Sequence, residues 1–147
     1  MLEHILRRMG FGASRAELEA WAGVPINTVI DRLLNYESMS TNHDVNIGRP
    51  EYLGITTSSG NPFSPNTLIN DARQRWLFRM VHSQRPLEEK MALFWHNHFA
   101  TAYSKLGGAV GQERATRLMD NDPSSLAGSP AGQIQVLREF ATGSFPG

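Results

Sequence analysis

The sequence predicts an all-α fold, a small bundle of about five or six helices in one domain spanning residues 1–147. Apolar residues recur at three- and four-residue spacing along most of the chain, as they do on the buried face of a helix. No segment sustains the alternation of apolar and polar residues that is typical of a strand. Glycines, prolines and a helix-capping pattern divide the chain into segments of helical length.

Short helices are predicted at the start of the chain. Residues 2–9 have helical apolar spacing and are followed by Gly10, a common helix stop. Residues 14–17, Ser-Arg-Ala-Glu, match a capping box, in which the serine and glutamate side chains bond each other's backbone N–H groups. Pro25 suits the first turn of the next helix, whose apolar stripe runs over residues 26–34.

Residues 36–64 interrupt the helical pattern and are predicted to form one long irregular loop. The segment is rich in glycine, asparagine, serine and proline, which favour turns over helices. A loop of this length inside a compact domain is usually functional or mobile.

Helical spacing returns at about Pro65, and a further helix begins at Pro86 and is closed by residues 105–108. A weaker helix is predicted at residues 112–119, and a last one ends at Gly143. The predicted apolar stripes contain Leu68, Ile69, Ala72, Trp76, Leu77, Met80 and Val81 in the first of these helices, and Leu87, Met91, Phe94, Trp95, His98 and Phe99 in the second.

Composition excludes several classes of protein. The chain has no cysteine, so a disulfide framework and a thiolate zinc site are impossible. Its formal net charge is zero, which argues against nucleic acid or an anionic membrane as a partner. No apolar run approaches the ~20 residues that span a bilayer, and the amphipathic start is not a signal peptide. Neither the compartment nor a cofactor is identified.

Three stretches of the sequence resemble one bacterial family. They are HILRRMGFGAS at residues 4–14, PLEEKMALFWHNHFAT at residues 86–101 and QVLREFATGSF at residues 135–145. In this order they are similar to the family called domain of unknown function eighteen-hundred, and together they span most of the chain.

The resemblance implies a helical protein without a settled activity, often found beside a sulfatase-like companion protein. Because the family's members are longer, the chain is expected to be the front portion of a longer bacterial protein. The family's best candidate site, an acidic, asparagine-rich segment, is absent from this sequence. The apolar face of the last helix, formed by Ile134, Leu137 and Phe140, is expected to pack on the rest of that longer chain.

His96 and His98 are the candidate metal ligands, and with Glu89 they are the candidate catalytic residues. Neutral imidazole is a common metal ligand and a general acid or base. Residues two apart on a helix differ by roughly 200° in direction, so the two rings would face apart and could not share an ion. His98 should be partly buried on the apolar stripe, and His96 should share a face with Glu89. The alternative for each histidine is a hydrogen-bonded structural role.

Charged residues form two further groups. Arg73, Arg75, Arg79 and Arg85 are interpreted as a solvated helix face, with an anion or partner site as the alternative. Glu88 and Glu89 lie in the first turn after Pro86, where carboxylates complement the helix dipole; paired catalytic carboxylates are the alternative.

The sequence is therefore compatible with two functions. The first is a helical scaffold or interaction module, docking on the rest of its own chain or on the companion protein. The second is the N-terminal part of an enzyme, possibly a metal-dependent hydrolase, whose remaining site residues lie downstream of Gly147.

Overall fold

In a computed structural model of the protein, residues 1–39, 63–120 and 128–143 are described. Within these ranges the chain forms eight α-helices and one short 3₁₀ helix, and it contains no strand. The all-α prediction is confirmed, with more helices than predicted. The helices are α1 Leu2–Met9, α2 Arg15–Ala20, α3 Ile26–Leu34, α4 Ile69–His82, α5 Pro86–His98, α6 Tyr103–Val110, α7 Gln112–Asp120 and α8 Gln133–Glu139.

Helices α1 and α3 share a small apolar core made of Leu6, Val29 and Leu33, and Leu18 of α2 packs against it. The predicted capping box is present at the start of α2. The Ser14 backbone N–H donates to Glu17 Oε2 at 2.7 Å, and the Glu17 backbone N–H donates to Ser14 Oγ at 3.2 Å. Local hydrogen bonds of this kind satisfy the N–H groups that a helix leaves free at its first turn.

The end of α1 lies against the start of α5. Lys90 Nζ donates to the carbonyl oxygens of Arg7 at 2.5 Å and Gly10 at 2.6 Å. A cation at this end of a helix satisfies unpaired carbonyl groups and complements the helix dipole. Gly10 allows the close approach, because a Cβ atom there would lie 2.9 Å from Pro86 Cβ.

The remaining helices pack around α5. Helices α4 and α8 contact it directly, and α7 contacts α4, α6 and α8. Hydrogen bonds also join the end of α5 to α8 and the residues that follow it: Gln133 Nε2 donates to the Phe99 carbonyl at 3.2 Å, and Trp95 Nε1 donates to the Ala141 carbonyl at 3.0 Å. None of the described helices is long and apolar enough to cross a bilayer.

Two predicted segments differ from the structure. The segment at residues 36–64 begins with the 3₁₀ helix Tyr36–Ser38, whose buried tyrosine hydroxyl lies 2.9 Å from Thr142 Oγ1. Residues 40–62 of the predicted loop lie outside the described residues. Residues 65–67 form a turn, and α4 begins only at Ile69.

Residues 105–108 were predicted to close α5, and this prediction is wrong. They belong to the separate helix α6. The glycine pair lowers helix propensity, and packing on α7 overrides it. Tyr103 Oη donates to the Gln112 carbonyl at 3.1 Å across the corner. Gly111 makes the corner with φ of 85°, a conformation that other residues rarely adopt.

We expect Gly10→Ala to lower the free energy of unfolding by about 1–3 kcal/mol, the usual cost of overpacking. The new methyl group would press on Pro86 and on the Leu6 carbonyl oxygen, 3.1 Å away. Gly108→Ala, in open space on α6, is the matched control and should raise stability by roughly 0.5–1 kcal/mol. Urea denaturation measures both variants. Equal effects would show that α1 and α5 are not in this close contact.

Candidate functional site

The three candidate residues all lie on α5, whose helical conformation is confirmed over Pro86–His98. Proline at the first position has the fixed φ that a helix start requires. The helix therefore sends the two histidines in different directions, as predicted, because they are two residues apart.

His98 is exposed, and the prediction that it would be partly buried is wrong. It belongs to an aromatic cluster at the end of α5, where its ring centroid lies 4.8 Å from Phe99 and 5.9 Å from Trp95. Phe94 is 54% and Phe99 44% exposed, so these two residues of the predicted apolar stripe face outward with His98, whereas Trp95 is half-buried. The reason is that α4 and α8 cover other sides of α5.

His96 is half-buried against α4. Its ring meets Trp76 edge to face, with the centroids 5.3 Å apart. Its Nδ1 atom is buried without a hydrogen-bond partner among the described residues. Burial lowers the pKa of the His96 imidazole below its usual value, because the charged form loses hydration. The neutral ring, the form that binds metal, is therefore favoured.

The histidines do not meet acidic side chains in a common site. Among the described residues, no group of three or more histidine, aspartate or glutamate side chains is placed to hold a metal ion. Within the described part of the chain, His96 and Glu89 each contact the indole of Trp76.

Glu89 is fully buried and is the centre of an ion network that joins three helices. Its Oε1 accepts a hydrogen bond from Arg138 Nε at 2.8 Å and lies 3.3 Å from Arg79 Nε. Its Oε2 accepts a hydrogen bond from Trp76 Nε1 at 2.9 Å. Arg79 and Trp76 lie on α4 and Arg138 on α8, so this carboxylate fixes both helices to α5.

The network extends to α7 through Asp120. Arg75 Nη2 donates to Asp120 Oδ2 at 2.9 Å and also to the Asp120 carbonyl oxygen. Arg138 Nη1 lies 3.9 Å from Asp120 Oδ1 and donates to Gln135 Oε1 at 3.1 Å. We call Arg75, Arg79, Arg138, Glu89 and Asp120 the buried ion network.

Burial also acts on the acidic groups at the edges of this network. It raises the pKa of Glu88 above its usual value, against the lowering effect of Arg85, whose Nη1 lies 3.5 Å from Glu88 Oε1. It likewise raises the pKa of Asp120, opposed by the positive charges of Arg75 and Arg138. Desolvation is the first cause in both cases, since a buried carboxylate loses its hydration.

The solvated arginine face predicted from the sequence is therefore wrong for Arg75 and Arg79, which are 7% and 5% exposed. Arg85 is also engaged, because its Nε donates to the Met39 carbonyl at 2.9 Å. Arg73 alone of the four is exposed as predicted. Carboxylates from other helices account for the burial, because they supply partners for charges that would otherwise need water.

Sequence reasoning missed Arg138, Asp120 and Trp76, which complete the network. One signal for α4 was available: Asp71, Arg75 and Arg79 recur at four-residue spacing and form one polar stripe. Nothing in the spacing marks that stripe as the inner one.

The arrangement fixes side chains and offers Glu89 no access to a substrate. Both carboxylate oxygens are engaged by donors, and the residue is completely shielded from solvent. A general base must be within reach of the proton it takes. The geometry of Glu89 is therefore that of a structural anion.

We expect Glu89→Gln to destabilise the fold by about 3–5 kcal/mol, since it leaves Arg79 and Arg138 buried beside a neutral amide. The matched control is Glu113→Gln, which removes an exposed carboxylate paired with Arg117. The control should cost no more than about 1 kcal/mol. Thermal unfolding followed by circular dichroism compares the two. Similar losses would contradict the central role of Glu89.

Comparison with known proteins places the chain in a family. Residues 4–119 match the family described as protein of unknown function, DUF1800. This range contains the stretches at residues 4–14 and 86–101, whereas residues 135–145 lie beyond it. No curated protein and no solved structure gives a significant match. Because the match covers most of the 147 residues, the chain belongs to the DUF1800 family.

Proposed function

We propose that this chain is a helical interaction module that docks on another protein surface through the outer face of α4. The observation that supports this is that α4 buries charged side chains and exposes apolar ones. Helix α4 buries Arg75 and Arg79, whereas Leu77 is 61% and Val81 is 71% exposed. The apolar stripe predicted for α4 is thus partly on the outside, where a helix of an isolated domain normally carries polar residues.

The buried ion network holds α4 in this orientation. Leu77 lies two residues from both Arg75 and Arg79, which puts it roughly 200° away around the helix. Rotating α4 to bury Leu77 would pull both arginines away from Asp120 and Glu89 and leave charges unpaired. Within the described residues, Leu77 and Val81 therefore remain exposed on the outer face beside Arg73, and a second surface would be needed to cover them.

A protein is the partner that suits this face. Leu77 and Val81 are four residues apart and form a ridge of the kind that packs into the groove of another helix. The partner is either a further segment of its own longer polypeptide or the sulfatase-like companion protein that the family resemblance implies. Either source would need an apolar helix surface to pack on this ridge, and crosslinking distinguishes the two.

A photo-crosslinking amino acid at Leu77, introduced in the protein expressed in its natural host, should form crosslinks to one defined peptide. Mass spectrometry then tells whether that peptide belongs to the same polypeptide or to the companion. The matched control is Leu34 on α3, which is 53% exposed but lies outside the proposed face. Crosslinks of equal number and scatter at both positions would contradict docking through α4.

A second candidate function is the front part of an enzyme, and His96 is the residue that favours it. Its ring is half-buried, burial lowers its pKa, and its Nδ1 atom has no hydrogen-bond partner among the described residues. Such a neutral, unsatisfied imidazole suits a metal ligand or an acid–base group. The acidic partners would come from outside the described residues.

Metal analysis of the purified full-length protein and of its His96→Ala variant tests this second function. If His96 is a ligand, the affinity of the variant for the metal should fall by at least about tenfold, because losing even a group that only orients a ligand costs roughly 10–100-fold, and the purified variant should hold less metal. His98→Ala, which removes the exposed ring on the same helix, is the control and should retain metal. Unchanged metal content in His96→Ala would remove His96 as a ligand.

A further inference from the structure

A cleft of about 790 Å³ separates the α1–α3 region from the end of α4 and its link to α5. This volume is within the range of sites that hold small organic ligands. The cleft has no residue in common with the buried ion network, and it shares only Val81 with the outer ridge of α4. Its lining includes Trp21, Arg32, Leu33, Met39, Met80 and Glu17.

The inner part of the cleft is apolar. Leu33 is only 6% exposed, and Trp21, Met39 and Met80 are half-buried. Methionine side chains adapt their shape to the surface they contact, and an indole ring offers a flat apolar face. These side chains would pack on a hydrocarbon chain or an aromatic ring rather than on a strongly hydrated molecule.

Arg32 and Glu17 are two oppositely charged residues in the lining of the cleft. Arg32 is exposed and stacks over the Trp21 ring, with Cζ 5.0 Å from the ring centroid. It forms no ion pair within the described part of the chain. Glu17 keeps its negative charge, but its Oε2 accepts the Ser14 backbone N–H at 2.7 Å, which holds the carboxylate in the capping box. Arg32 therefore offers the cleft a cation that no carboxylate of the described residues pairs with.

We propose that this cleft binds an amphipathic anion with an apolar body and a single carboxylate. The carboxylate pairs with the Arg32 guanidinium, which can present two N–H donors to it. The apolar body lies along Trp21, Met39 and Met80. A medium-chain or aromatic carboxylic acid has this chemistry, and so does the free C-terminus of an apolar peptide.

The test is isothermal titration calorimetry of the full chain with octanoate, 1-octanol and octylammonium, which share a body and differ in charge. Octanoate should bind roughly tenfold more tightly than octanol, and octylammonium should bind most weakly. Arg32→Gln should remove this preference without changing the affinity for octanol, and Arg32→Lys should retain most of it. Arg15→Gln, whose side chain is 93% exposed on α2 outside the cleft, is the matched control and should behave as the wild type.

A trileucine peptide with a free or an amidated C-terminus identifies the source of the carboxylate. Tighter binding of the free peptide than of octanoate would assign the cleft to a peptide terminus, and the reverse would assign it to a small acid; both support the proposal. Equal affinity for octanoate and octanol, an Arg32→Gln variant that keeps the preference, or no binding at millimolar concentration would overturn it. Thermal unfolding of each variant confirms that the fold is intact.

Discussion

The buried carboxylate of Glu89 is the constraint on which the arrangement of α4, α5 and α8 depends. A charge without hydration is tolerated in a protein interior only when donors surround it, and here Arg79, Arg138 and Trp76 supply them. Any rearrangement that separated these groups would expose an unpaired charge to an apolar interior. The three helices are therefore limited to one relative orientation, and Asp120 extends this limit to α7.

Three of the buried apolar residues on α4, α5 and α7 are alanines. Ala72 on α4, Ala92 on α5 and Ala115 on α7 are 2%, 0% and 0% exposed. Methyl groups at these positions leave room for long side chains, and the arginine stems supply apolar contact that larger residues would otherwise provide. Replacing a buried ion network by well-packed apolar residues is often neutral or stabilising, because burying ions costs much of what their attraction returns.

Features set by neighbouring residues could be predicted from the sequence, and features set by distant ones could not. The capping box at Ser14 and Glu17 needs only a local hydrogen-bond pattern, and it is present. Which face of α4 is buried depends on the contact between Arg75 and Asp120, which lies 45 residues away. The usual assumption that the apolar face of a helix is buried therefore places Leu77 on the wrong side. The same holds for the candidate site. The helical spacing correctly predicted that His96 and His98 point in different directions. The exposure of His98 could not be predicted, because it depends on which sides of α5 the neighbouring helices cover.

The chain contains two interiors of different chemistry, and temperature acts on them in opposite ways. The α1–α3 interior consists of Leu6, Val29 and Leu33, whose association weakens on cooling because apolar hydration then becomes less unfavourable. The dehydration penalty of the ions around Glu89 falls on warming instead. On cooling, the packing of the amino-terminal helices is therefore expected to weaken first. On warming, the ion network is expected to lose less of its stabilisation than the apolar core.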